Sequence, residues 1–96
     1  MEITDIRIFK IEQRGALLGY ANVVLNESFI IRGIKILYTE KNGRFVAMPS
    51  RRLRGEKRAY RDLCHPINQV TRDTITMAIL EAYDRELEER NENIEE

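Results

Sequence analysis

Ninety-six residues with 43% hydrophobic content can close one core but not two, since a chain of this size buries only somewhat over ~60% of its unfolded surface. Sixteen Lys+Arg balance sixteen Asp+Glu, so the formal net charge is zero, and any charged surface must come from clustering. No apolar run approaches the roughly 18 residues of a membrane span, and Met1-Glu2-Ile3-Thr4-Asp5 has neither the basic start nor the apolar core of a signal peptide. The only cysteine, Cys64, excludes an intrachain disulfide and a cysteine-based zinc cluster and fits a reducing compartment. A cytoplasmic protein without membrane contact is expected.

From Ile3 to Ile11, Ile6 and Ile8 alternate with Arg7 while Phe9 and Ile11 take the other parity, which predicts a strand covered in part on both faces. Gly15 ends it, and a second β-rich run follows from Leu17 to Leu25. Asn26-Glu27-Ser28 is a turn signal, and Phe29 to Tyr38 holds the densest β-branched stretch, interrupted at Gly33 by an expected bulge or close backbone approach. Asn42-Gly43 between apolar runs predicts a hairpin, because both residues accept positive φ, and so makes strands three and four antiparallel neighbours.

Phe45-Val46-Ala47-Met48 is a fourth short strand. After it the charge is distributed unevenly: Arg51, Arg52, Arg54, Lys57, Arg58 and Arg61 fall in one loop beside a single acid, Glu56. Guanidinium groups offer planar forks of donors that suit phosphate oxygens, and clustering raises the local potential well above what net charge suggests. These six are candidate phosphate contacts. Ser50 is a further candidate donor beside Arg51, and Tyr60 a candidate platform for an unpaired base. The alternative is a solvated loop whose charges pair with the acidic C-terminal end.

Beyond the loop the period changes. Pro66 forbids helix at His65, Asn68 or Thr71 can cap, and Ile75, Ala78, Ile79, Ala82, Tyr83 and Leu87 recur at three- and four-residue steps, which predicts a helix from roughly Asn68 to Arg90. Free backbone donors at its start, with Arg72, form a second candidate phosphate site. Residues 91–96 read as an acidic, disordered tail after a single domain over 1–90. Cys64 and His65, adjacent in the extended conformation that Pro66 imposes, are expected to point to opposite faces. They make a poor dyad, and His65 is read as fixing the turn by a hydrogen bond. No catalytic constellation and no glycine-rich phosphate loop is present in the sequence, so neither an enzyme nor a cofactor is expected.

Phe45-Val46-Ala47-Met48-Pro49-Ser50, Arg61-Asp62-Leu63-Cys64-His65-Pro66-Ile67-Asn68, the opening Ile3-Thr4-Asp5-Ile6-Arg7, the strand Phe29 to Ile36 and Asn42-Gly43 together resemble the SpoVG family of septation and sporulation regulators over about residues 1–87. The resemblance implies a small α+β protein that dimerises through its sheet and binds DNA and RNA as a regulator. Three departures stand out: Leu53 to Ala59 is longer and more basic than the usual family loop, Cys64 replaces a commonly small residue, and the acidic extension after Glu88 is particular to this chain.

The expected molecule is therefore α+β: a twisted antiparallel sheet of four to five strands with one long C-terminal helix packed on one face, forming a homodimer through sheet edges. Its expected partner is DNA or RNA. The rival expectation is a protein-interaction module of the cell-division apparatus, in which the same arginines meet an acidic partner.

Overall fold

In the computed structural model, which describes residues 2–55 and 59–95, the alternating segments form β1 (Ile3–Arg14), β2 (Leu17–Leu25), β3 (Phe29–Thr39) and β4 (Gly43–Ala47). They make one antiparallel sheet in the order β1-β2-β3-β4. β5 (Ser50–Arg52) and β6 (Tyr60–Asp62) form a separate two-stranded sheet, and α1 (Gln69–Glu95) closes the chain. No helix among the described residues is long and apolar enough to cross a membrane.

Turn chemistry sets the register. The β3–β4 hairpin closes at the Thr39↔Gly43 pair as Asn42-Gly43 predicts, but only Gly43 has positive φ, at 69°; Asn42 instead donates its backbone N–H to Thr39 Oγ1 at 3.1 Å. Between β2 and β3 the left-handed residues are Asn26 and Glu27, and the chain start holds them there. Glu2 and Asn26 exchange hydrogen bonds of 2.7 and 2.8 Å, and Glu27 N–H donates to Thr4 Oγ1 at 2.9 Å.

Of the two readings of Gly33 the bulge holds, and among the described residues no other part of the chain lies within 4 Å of where a Cβ would stand. Ala21 faces Ile34 and Val23 faces Ile31, so Asn22 alone opposes Arg32 and Gly33. Gly33, at φ 78°, donates to Asn22 Oδ1 at 3.1 Å. The extra residue shifts the side-chain parity of β3, so Ile31 and Ile34 both reach the core although they lie three positions apart.

Ala21, Val23 and Leu25 of β2 and Ile34 and Ile36 of β3 are buried with Met48 against Ile75, Ile79 and Tyr83 of α1, and Ile6, Ile8, Leu80 and Leu87 pack at the margin. Ile75, Ile79, Tyr83 and Leu87 belong to the stripe the sequence predicts, and Leu80 joins them from outside it. Each fully buried aliphatic side chain contributes about 1.5–3 kcal/mol relative to exposure, which holds the helix to one sheet face. The opposite face is less covered than the parity of β1 suggests: Phe9, paired with Tyr20 across the strands, remains 49% exposed, because the single helix lies on the other side.

Pro66 and Asn68 end the sheet region and start the helix. Asn68 is the cap: its Oδ1 accepts the Thr71 N–H at 2.8 Å and its carbonyl accepts the Arg72 N–H at 3.2 Å.

Candidate nucleic-acid interface

The basic segment is not the irregular loop its composition suggests but a β-ribbon. Ser50 pairs with Asp62, Arg51 with Arg61 and Arg52 with Tyr60. Backbone bonds close both ends, from Leu53 N–H to the Ala59 carbonyl at 2.9 Å and from Leu63 N–H to the Pro49 carbonyl at 2.7 Å. Gly55, at φ 81°, takes a backbone angle in the ribbon's turn that other residues rarely adopt. All six strand residues are exposed.

Directly opposed residues of an antiparallel pair share a face, and neighbours along a strand alternate. Arg51 and Arg61 therefore stand side by side on one face. Ser50, Arg52, Tyr60 and Asp62 occupy the other, so Ser50 stands beside Asp62 rather than beside Arg51. Like charges directly opposed destabilise a strand pair, and no ion pair among the described residues involves Arg51, Arg61 or Asp62. Arg54 lies at the turn and, with Arg51, Arg52 and Leu53, lines an open hollow of about 580 Å³. Lys57 and Arg58 lie outside the described residues. Arg72, partly buried on the first turn of α1, does not line the hollow. The helix start beside it presents exposed Ile67 and Val70, and its Thr71 N–H is already taken by the cap.

Arg44, the remaining base of this region, is engaged elsewhere. Its guanidinium makes two bonds to the Asp84 carboxylate of α1, at 2.5 and 3.2 Å, 40 residues away in the chain. That hydrogen-bonded contact raises the Arg44 pKa further above its ordinary value and lowers that of Asp84 below the usual carboxylate range. No local pattern announced this pair.

The chain bends at Leu63-Cys64, and Cys64 and His65 border an apolar cavity of about 210 Å³ that is shared with Phe29, Ile31 and Met48. His65 Nδ1 lies 3.0 Å from the Pro66 carbonyl oxygen, a hydrogen bond that orients the ring at the turn.

A small meander sheet carrying one helix and an exposed arginine ribbon defines a compact class of α+β protein. The family model described as SpoVG matches residues 1–85, and the chain belongs to the SpoVG family. It is 43% identical to a SpoVG protein of Agathobacter rectalis over 92% of this chain and 98% of that one. It is 42% identical to one of Lachnoclostridium phytofermentans over 100% and 98%, and 46% identical to one of Desulforudis audaxviator over 88% and 92%. All three relatives are named as candidate septation proteins.

Proposed function

We propose that this SpoVG-family chain is a cytoplasmic nucleic-acid-binding regulator that holds phosphate groups on its β-ribbon and acts by binding rather than catalysis. The observation that carries the reading is the Arg51↔Arg61 pair. Two guanidinium groups opposed on an exposed ribbon repel each other, an arrangement that folding does not favour and that an anion between them reverses. A two-stranded ribbon also has the dimensions to enter a nucleic-acid groove. The septation and sporulation roles implied by the family resemblance fit a regulator of this kind.

Arg51→Ala with Arg52→Ala and Arg54→Ala tests the reading. The triple variant is expected to bind nucleic acids of different sequence more weakly by similar factors, with a smaller dependence of affinity on salt and an almost unchanged Tm, because phosphate contacts release counterions while exposed charges contribute little to folding. Unchanged affinity would remove the ribbon as the contact surface. Binding to an acidic protein, with none to nucleic acid, would favour an interaction module of the division apparatus.

The same reading includes a homodimer through sheet edges. β3 pairs with β4 only from Lys35 to Thr39, which leaves the edge from Phe29 to Ile34 open, with Arg32 as its only charge. The outer edge of β1 carries Asp5, Arg7, Lys10 and Glu12, charges of the kind that block edge pairing. A dimer through the β3 edge is expected to persist at high salt, since backbone pairing and apolar contact are little screened. Sedimentation at low and high salt checks it, and an 11.3 kDa monomer at micromolar concentration would exclude it.

A further inference from the structure

The two faces of the ribbon differ in charge, and the difference selects among nucleic acids. One face presents Arg51 and Arg61, two cations with no acid; the other presents Arg52 and Tyr60 as a cross-strand pair beside Ser50 and Asp62. The carboxylate of Asp62 offsets the charge of Arg52 and makes the second face unattractive to phosphate. That face offers instead an aromatic ring, 63% exposed, next to a guanidinium, the pair of groups on which an unpaired base stacks.

We infer that the ribbon is a reader of single-stranded nucleic acid, with Arg51 and Arg61 holding the backbone on one face while a base crosses the ribbon edge and stacks on Tyr60 beside Arg52 on the other. This deepens the nucleic-acid reading above and rests on it. A duplex does not meet both faces: its bases are stacked inside with only their edges accessible, and its persistence length of about 50 nm prevents it from folding round a ribbon one strand pair wide. A flexible single strand does both. Tyr60 is too exposed to serve the core, and Arg52 opposite it takes part in no ion pair among the described residues.

Tyr60→Trp in the full chain tests the inference directly, since the protein has no tryptophan and the new indole reports stacking by loss of its fluorescence. Binding is followed in parallel by anisotropy with a labelled single-stranded oligonucleotide, a duplex of equal length and inorganic polyphosphate. The expected result is quenching by the single strand and none by duplex or polyphosphate. Tyr60→Ala is expected to weaken single-strand binding about tenfold, the order of one lost base–aromatic stack, and to leave polyphosphate binding unchanged. Tyr60→Phe should keep the affinity. Binding of all three ligands without quenching, or equal quenching by duplex, overturns the single-strand assignment and leaves the phosphate reading standing. An equal loss for oligonucleotide and polyphosphate in Tyr60→Ala overturns the stacking role. Absence of binding to any of the three overturns both readings.

Discussion

The sheet–helix body and the β5–β6 ribbon are antiparallel structures built by opposite means. In the body, β2 and β3 bury Val23, Ile34 and Ile36 against Ile79, so its conformation follows from apolar area removed from water. In the ribbon every strand residue is exposed, and a lone hairpin is marginal at best in water. The residue choices in the ribbon are thus not explained by stability, and its most conspicuous one, arginine opposite arginine, works against it. Stability and binding should consequently be separable by mutation.

The largest expected effect lies in the body. Ile79→Ala removes a fully buried side chain and should cost about 2–5 kcal/mol, a large part of the ~5–15 kcal/mol that holds a domain together. Denaturant midpoints measure it. Binding per folded molecule should not change, and a matching loss of nucleic-acid affinity in the folded fraction would join the two regions that the comparison separates.

Arg61→Glu is expected to move the two properties in opposite directions. It puts a carboxylate opposite Arg51, an opposite-charge cross-strand pair worth about 0.2–1 kcal/mol, while replacing a phosphate-holding charge by a repelling one. Binding should fall at least ~10-fold, with a shallower salt dependence, and Tm should hold or rise slightly. A fall in Tm would mean that the ribbon needs Arg61 for folding.

The same contrast explains what the sequence made legible. The core stripe of α1, the four strands, the bulge at Gly33 and the turn at Gly43 all follow from periodicities several residues long or from backbone angles that few residues accept. β5 and β6 are three residues each, too short for alternation to register, and they contain no buried apolar residue. Charge therefore marked Arg51, Arg52, Arg54 and Arg61 as candidates but not which face each occupies, because that depends on a register fixed between Leu53 and Ala59. His65 was legible because the restriction imposed by Pro66 is local, and the hydrogen bond it makes to the Pro66 carbonyl lies within the same turn. The Arg44–Asp84 pair joins residues from separate elements, and no local rule reaches that far.

That pair carries the smallest expected effect and gives it a pH signature. The hydrogen-bonded contact with Arg44 depresses the pKa of Asp84 in the folded protein, whereas in the unfolded chain the group titrates near ~3.9. Its contribution to stability is therefore fully present above the ordinary carboxylate value and is lost as pH falls through the lower folded value. Arg44 stays cationic over that range, so only the carboxylate titrates. The Asp84 side chain is 51% exposed, and solvent screening keeps the contribution below ~1 kcal/mol. Asp84→Asn should lower the urea midpoint slightly at pH 7, and the gap from the parent should narrow as pH falls below the ordinary carboxylate range and also with added salt. Ribbon binding should stay the same, because Arg44 tethers β4 to α1 and leaves Arg51 and Arg61 untouched. An equal gap at pH 7 and at pH 2.5 would show that the asparagine acts through packing, with the charge pair adding nothing to the fold.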